Sequence, residues 1–223
     1  MGFTEKIKEH PEKYLIFFKF YNAFLGKNKI RISKGTKFTV RGALLNKLTV
    51  TVKGENNEIF IDSLTQISGG SIYINGNNNK LVIGRRNGFD RCDLWIEDDG
   101  NEIVIGEHNR FFTESHLAAL EGTRIIIGSD GLYAPHVQMR TSDSHSIIDV
   151  NGVRLNQAKN IVVGDHVWIA EGSVVLKGSR IPEDCVIALK SLVNKPLEQS
   201  HCIYAGNPVR VVRENVSWDS NRR

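Results

Sequence analysis

The stretch that decides the fold runs from residue 163 to residue 193 and reads VGDHVW IAEGSV VLKGSR IPEDCV IALKSL V. Each six-residue unit begins with an aliphatic residue, and the residue four places later is small or compact. This pattern is typical of short flat strands wound into a triangular coil, in which each aliphatic side chain stacks on the residue one coil away. Strands of a β-sandwich would instead alternate with a period of two. The aliphatic positions are Val163, Ile169, Val175, Ile181, Ile187 and Val193, and the compact ones are Val167, Ser173, Ser179, Cys185 and Ser191.

A looser repeat precedes this stretch. Gly- or Asn-rich turns lead into aliphatic triplets that end at Ile61, Ile83, Ile105 and Ile127, 22 residues apart each time. We interpret each repeat as one coil of about eighteen residues, three units of six, with a small insertion. The sequence therefore predicts an all-β protein, a left-handed parallel β-helix over 36–196. An excursion loop at about 138–160 interrupts it, and a tail follows at 197–223.

The segment 1–35 has a different character. Between residues 3 and 25, aromatic and aliphatic side chains recur at helical spacing among lysines, and Gly26 is a suitable stop. We expect a short amphipathic helix that plugs or flanks the open end of the β-helix. Docking of this helix on a membrane surface, as a peripheral association, is the alternative.

Composition narrows the function. The chain has 223 residues, of which 40% are hydrophobic, enough for one core. A formal net charge of +4 is too small to indicate nucleic-acid binding but suits an anionic small ligand such as a nucleotide phosphate. The three cysteines lack metal-ligand spacing and indicate neither a disulfide framework nor zinc, which favours a cytoplasmic setting. Neither a signal-peptide pattern nor a stretch long enough to span a bilayer is seen, so we expect a soluble protein.

Three motifs follow one another in the second half of the chain: TSDSHS at 141–146, IVVGDHVWIAEGSVVLKG at 161–178 and YAGNPVRVVRE at 204–214. In order and spacing they resemble the hexapeptide-repeat acetyltransferases, in particular the branch with galactoside, maltose and xenobiotic acetyltransferases and the O-acetyltransferases of bacterial surface polysaccharides. The resemblance covers about half of the chain. It implies acetyl-CoA as co-substrate, a saccharide acceptor, no metal, and a homotrimer with active sites between neighbouring chains.

The resemblance also implies that His145, inside the excursion loop, is the catalytic base. The chemistry agrees, because a sugar hydroxyl is a poor nucleophile and a neutral imidazole near pH 7 can take its proton as it attacks a thioester. His116 is a second candidate, for contact with the acceptor, and the remaining histidines are expected to be ordinary surface or core residues.

Four further positions are candidates for the acceptor side of the site. Trp168 is expected to flank the acceptor or pantetheine channel, opposite the histidine of the neighbouring chain, or else to stack on the outer face of the prism. Asp143 and Ser142 would orient the imidazole or bind sugar. Glu114 stands where sugar acetyltransferases often have an asparagine; an ionised carboxylate cannot donate to an oxyanion, so it would bind a sugar hydroxyl or orient a histidine.

We expect the coenzyme A site to consist of cationic side chains and a narrow groove. The phosphates would pair with guanidinium and ammonium groups near the end of the coil. The pantetheine arm would lie along a groove lined by small residues, two of which are alanines where the family commonly has glycine. The cationic candidates are Lys195, Arg210 and Arg213, and the small ones are Ala170, Ala188 and Ser191.

Three other functions are compatible with a β-helix. N-acetylation of an amino sugar or nucleotide sugar needs the same base, but it typically comes with a preceding nucleotide-binding domain, which residues 1–50 do not suggest. A non-catalytic structural β-helix is the alternative from a different class. A carbonic anhydrase of similar shape needs several zinc-binding histidines, whose spacing the sequence does not offer.

Overall fold

The structure is a computed structural model and describes residues 14–221. Most of this range consists of short parallel strands stacked coil upon coil into a left-handed triangular prism with three flat sheets. The predicted fold class, an all-β left-handed β-helix, is confirmed.

We name the three sheets A, B and C in the order in which the chain visits them. Sheet A contains β1 (Lys29–Ile32), β4 (Thr49–Lys53), β7 (Ser71–Asn75), β10 (Asp93–Glu97), β13 (His116–Leu120), β16 (Gln138–Arg140), β19 (Val174–Leu176) and β22 (Leu192–Val193). Sheet B contains β2 (Lys37–Val40), β5 (Glu58–Ile61), β8 (Lys80–Ile83), β11 (Glu102–Ile105), β14 (Arg124–Ile127), β17 (Ile161–Val163) and β20 (Arg180–Ile181). Sheet C contains β3 (Leu44–Asn46), β6 (Gln66–Ser68), β9 (Gly88–Asp90), β12 (Arg110–Phe111), β15 (Leu132–Tyr133), β18 (Trp168–Ile169), β21 (Val186–Ile187), β23 (Ile203–Gly206) and the antiparallel β24 (Val209–Arg213).

The core is a set of aliphatic columns inside the prism. Strand partners in successive coils are in register, so that inward side chains lie directly above one another. In sheet B one such column passes through Ile83, Ile105 and Ile127 to Val163 and Ile181. All the aliphatic and compact positions of the six-residue pattern are buried, as the sequence predicts.

Coil length changes along the prism. Ile83 pairs with Ile105, which makes the upstream coils 22 residues long, whereas Val163 pairs with Ile181, which makes the downstream coils 18 residues long. The extra residues lie partly in longer strands, of up to five residues in the upstream coils against two or three in β17 to β22. The prism is therefore wider at its N-terminal end than at the end that carries the motifs.

Buried asparagines stack at two corners and explain the Asn-rich turns. The backbone N–H of Asn101 donates to Asn79 Oδ1 at 2.8 Å, and that of Asn109 donates to Asn87 Oδ1 at the same distance. An asparagine side chain can satisfy the backbone of the neighbouring coil where the strand ladder is interrupted. These asparagines thus stabilise the corners.

The N-terminal segment forms α1 (Leu15–Phe20), followed by a π-helical turn (Tyr21–Leu25) that ends at Gly26. Asn22 donates to Ala43 O and accepts from Leu45 N, both at 2.9 Å, so the turn covers the free edge of β3. This placement flanks the open end of the prism, which is the first of the two expected roles. The part of the predicted helix before residue 14 lies outside the described residues.

Three expected boundaries differ from the structure. β1 already belongs to sheet A, ahead of residue 36, because a terminal strand has no earlier coil with which to show a repeat. Residues 138–140 are strand β16, so the excursion begins at residue 141. β23 pairs with β21 and extends sheet C beyond residue 196.

Candidate functional site

The excursion loop, residues 141–160, leaves the prism at the corner between sheets A and B. Arg154 anchors it by donating two hydrogen bonds, of 2.6 and 3.0 Å, to the carboxylate of Glu121. The Ser142 hydroxyl donates to the same carboxylate and accepts from Ser144 N at 2.9 Å. The Arg154 guanidinium holds the pKa of Glu121 below its ordinary value. The loop is therefore tied to the coil by a bidentate ion pair.

Asn156 sets the backbone around His145. Its Nδ2 donates to the carbonyl oxygen of His145 at 2.8 Å and to Asp143 Oδ2 at 2.7 Å, while its Oδ1 accepts from Ile147 N at 2.7 Å. His145 itself is exposed. Across residues 14–221 we find no hydrogen bond to its imidazole, which leaves both ring nitrogens free to meet a ligand.

Asp143 is held by Lys177, which donates to its Oδ2 and, at 2.9 Å, to Asn156 O. The hydrogen bond from Lys177 lowers the pKa of Asp143. Ser142 is buried, and its hydroxyl donates to the carboxylate of Glu121. Within this chain both residues therefore position the loop, and neither hydrogen-bonds the imidazole directly.

The tip of the excursion is apolar and exposed. An antiparallel bridge between Ile148 and Arg154 makes it a short hairpin. Asp149 tightens the turn by accepting from the backbone N–H groups of Asn151 and Val153, both at 2.8 Å. The exposed aliphatic residues are Ile147, Ile148, Val150, Val153 and Leu155.

Trp168 lies on the outer face of sheet C, opposite the corner that carries the excursion. Trp168 is 37% exposed, and its ring lies 6.1 Å from the ring of Trp218, measured between centroids. Trp218 stacks on His166 at 4.4 Å and donates from Nε1 to His166 O at 2.8 Å. Within one chain, His145 and Trp168 thus face different sides of the prism.

His116 and Glu114 are near the corner between sheets C and A. His116 is half-buried on β13, and burial, assisted by the charge of Arg140, lowers its pKa. Glu114 is exposed, and its carboxylate lies 3.2 Å from His136 Nδ1. Of the two predicted partners for Glu114, a sugar hydroxyl or a histidine, the structure supplies the histidine.

The three small residues predicted for the pantetheine groove meet around Ser173. The Ser173 hydroxyl donates to Ala188 O at 2.8 Å and accepts from Ser191 N at 3.2 Å, and its backbone N–H donates to Ala170 O at 3.3 Å. Ser191 is buried, while the two alanines are half-buried. The cluster therefore forms a compact corner with little side-chain bulk.

The cationic candidates surround the end of the same coil. Arg210 and Arg213 lie on β24, and Lys195 follows β22. All three side chains are exposed. In sheet C, β23 lies between β24 and β21. Ala188 follows β21 in the chain, and its N–H donates to Tyr204 O on β23 at 2.8 Å. The small-residue corner and the cations thus share the C-terminal end of the prism.

Sequence reasoning missed the residues that hold the site. Arg154 and Asn156 lie in the excursion, outside any repeat, and the six-residue pattern gives no partner for Lys177. Arg154 meets Glu121 across 33 positions, and Lys177 meets Asp143 across 34. The contact of Trp218 with His166 spans 52 positions. The one available signal was chemical: a tryptophan and paired charges in irregular segments beside a predicted site.

Within residues 14–221 no group of three or more His, Cys, Asp or Glu side chains is arranged to hold a metal ion. No helix among these residues is long and apolar enough to cross a membrane. The three cysteines are buried and unpaired.

Solved structures share this architecture of stacked coils. The chain matches the polySia-specific acetyltransferase NeuO with a TM-score of 0.81 and 25% identity, over 87% of this chain and 90% of that one. It matches the polysialic acid O-acetyltransferase OatWY with a TM-score of 0.60 and 25% identity, over 88% and 90%.

Sequence comparison points the same way. A polysialic acid O-acetyltransferase of Escherichia coli O1:K1 / APEC is 32% identical over 92 residues, 41% of this chain and 30% of that protein. One of Neisseria meningitidis is 28% identical over 92 residues, 41% of this chain and 43% of that protein. The match thus spans less than half the length of either relative, and no protein-family model matches. The predicted resemblance to hexapeptide-repeat acetyltransferases, in the saccharide O-acetyltransferase branch, is confirmed.

Proposed function

We propose that this protein transfers an acetyl group from acetyl-CoA to a hydroxyl of a saccharide, with His145 as the general base. The observation that carries the proposal is the anchored excursion loop, which presents a free imidazole on a scaffold similar to that of two saccharide O-acetyltransferases. The acceptor would be a sugar of a surface polysaccharide or lipopolysaccharide. We place the reaction in the cytoplasm, where buried, unpaired cysteines persist.

In the proposed reaction the sugar hydroxyl attacks the thioester carbonyl, and His145 takes the hydroxyl proton as the new C–O bond forms. A backbone N–H would stabilise the oxyanion. When the C–S bond breaks, the imidazolium returns the proton to the departing thiolate, so the base is regenerated. An imidazole suits both steps because its ordinary pKa lies close to neutral pH.

The C-terminal end of the prism supports the donor side of the proposal. Ala170, Ala188 and Ser191 would leave room for the pantetheine arm beside their shared corner. Lys195 and the two arginines of β24 would pair with the phosphates of coenzyme A.

The acceptor side needs a second copy of the chain. We propose a homotrimer in which His145 of one chain faces Trp168 of the next, since within one chain these residues face different sides of the prism. The exposed apolar hairpin at 147–155 supports this arrangement, because an aliphatic surface of that kind gains stability when a neighbour covers it. His116 on sheet A and Glu114 at the corner between sheets C and A would then contact the acceptor, and Asp143 and Ser142 would keep the loop in place. As a separate proposal, the exposed residues of α1 would allow this helix to associate peripherally with a membrane surface.

The test is thiol release from acetyl-CoA with a panel of acceptors that includes polysialic acid, neutral oligosaccharides, amino sugars and nucleotide sugars. We expect release that depends on a hydroxyl acceptor, and His145→Ala should lower kcat by about a hundredfold or more, the usual worth of a general base. His201→Ala, at an exposed histidine outside the loop, is the matched control.

Three results would contradict the proposal. Transfer only to amino groups would favour N-acetylation. Full activity of His145→Ala would exclude it as the base. Absence of acetyl-CoA binding in calorimetry would favour a structural β-helix.

A further inference from the structure

A groove with a volume of about 1070 Å³ runs along the outer face of sheet C, away from the excursion loop of the same chain. Phe17 and Phe18 of α1 border it at one end, and Trp218 and Ser220 border it at the other. The groove therefore extends from the wide N-terminal coils to the coil that carries Trp168.

The floor is a column of outward positions on sheet C that are in register from coil to coil. Leu44, Gln66, Arg110 and Leu132 line the groove; Gly88 lies between Gln66 and Arg110 in the same column, and Trp168 follows Leu132 just beyond the lining. Neighbouring strands are about 4.8 Å apart, so the five steps span roughly 24 Å. This length suits an extended chain rather than a single sugar.

Arg110 lies in the middle of this floor. A Cβ on Gly88 would come 2.6 Å from Arg110 Nη1 and 3.1 Å from its Cδ, so the absence of a side chain at Gly88 lets the arginine lie across the floor. Arg110 is exposed, and among residues 14–221 it has no ion-pair partner. An unpaired guanidinium in a groove is suited to a carboxylate of a ligand.

One wall is the corner between sheets B and C. Arg86 Nη1 lies 3.3 Å from His108 Nε2, and His108 Nδ1 lies 3.3 Å from Asp130 Oδ1. Leu44 and Leu132, on the floor, border the same space and add apolar surface to these exposed polar groups. The polar groups could bind the hydroxyl groups of a sugar, and the apolar surface could pack against its C–H faces.

The far wall is the C-terminal segment. Ser217 donates to Asp184 at 3.1 Å, and Asp184 Oδ1 lies 2.7 Å from His166 Nδ1, whose ring stacks on Trp218. Three contacts thus hold Trp218 against the corner and beside Trp168. The groove ends where the proposed function puts the reacting sugar.

We infer that this groove binds several consecutive units of an acidic saccharide chain and delivers one of them to Trp168. The inference rests on the proposed function for the identity of the reacting end. The carboxylate contact is assigned to Arg110, and Trp218 fixes the last unit before transfer.

The experiment compares Arg110→Ala with Arg110→Lys, and with Arg31→Ala as a matched control at an exposed arginine outside the groove. Binding of polysialic acid, of a sialic acid monomer and of neutral dextran is followed by tryptophan fluorescence without acetyl-CoA. Transfer to the same compounds is followed by thiol release. Arg110→Ala should weaken polysialic acid binding and raise its KM by about tenfold, because a charge-assisted contact is lost.

The monomer KM and the acetyl-CoA KM should not change, and Arg110→Lys should retain part of the affinity. Equal losses for polymer and monomer, or no loss for either, would overturn the inference. Dextran binding as tight as polysialic acid binding would overturn its acidic class. If polysialic acid binds through Arg110 but no saccharide is acetylated, the groove assignment stands and the proposed function fails.

Discussion

At the scale of single residues, the site depends on one side-chain amide. Asn156 is buried and bonds simultaneously to Asp143, to the carbonyl of His145 and to the N–H of Ile147. An amide can do this because it carries donors and an acceptor on one planar group. The position of the imidazole therefore follows from the backbone that Asn156 holds.

Asn156→Ala should lower kcat by about tenfold to a hundredfold with little effect on the KM for acetyl-CoA, because His145, the proposed base, would lose its alignment. Steady-state thiol release measures both constants. Gln157→Ala, at the exposed neighbouring residue, should be close to wild type. A change in acetyl-CoA KM alone would mean that Asn156 serves donor binding instead.

At the scale of elements, the excursion loop is joined to the prism by charged contacts more than by apolar packing. Arg154 bonds to Glu121 across 33 positions, and Lys177 bonds to Asp143 across 34. Its apolar tip, in contrast, is exposed. The order of the loop should consequently depend on the ionisation of its two carboxylates.

The pH dependence follows from Glu121. Its folded-state pKa lies below the ordinary 4.5, so its contribution to loop stability is fully present above 4.5 and is lost as the pH falls through the lower folded value. Amide protection of residues 141–160, corrected for intrinsic exchange, should fall in that acidic range. Glu121→Gln should weaken protection at neutral pH and flatten the acid dependence.

Glu107→Gln is the matched control, since Glu107 forms an exposed pair with Arg85 at 3.9 Å outside the loop. An unchanged acid profile in Glu121→Gln would show that another group, such as Asp143, controls the loop.

At the scale of the whole molecule, stacking in register brings residues of distant coils onto one face of the prism. It also places other residues of the candidate site on a different side of the same chain. It aligns Leu44 with Trp168 on sheet C. It also puts the excursion at the opposite corner. The proposed trimer resolves the separation of His145 from Trp168 by joining two chains.

Mixing two inactive variants tests that arrangement. Co-expressed His145→Ala and Trp168→Ala chains should recover roughly a quarter of the wild-type rate. A working site needs an intact His145 from one chain and an intact Trp168 from its neighbour, and random assembly supplies each of them about half of the time. Thiol release by the purified mixed oligomer is the measurement. Co-expression of His145→Ala with the double variant should recover nothing, and a mixture no more active than its parts would contradict a shared site.

The fold could be predicted because its signal is local and repeated. The aliphatic at each sixth residue from Val163 to Val193 is buried, and the compact residues lie at the corners. His145 could be predicted as a candidate because it lies in a polar interruption of the repeat, and two further motifs of the resemblance follow it in the chain. The first strand and the extension of sheet C by β23 could not be predicted, because neither belongs to a complete run of repeats.

The sequence by itself determined the triangular coil, the place of the excursion and the residue types available for the proposed acetyl transfer, since a short period dictates which neighbours stack. Only the tertiary structure decided that Arg154 meets Glu121, that Asn156 holds the backbone of His145 and that Trp218 borders a groove on sheet C beside Trp168. The physical reason is that these contacts join segments without a period. Their partners are set by the corner at which each segment leaves the prism, which depends on the length of every coil before it.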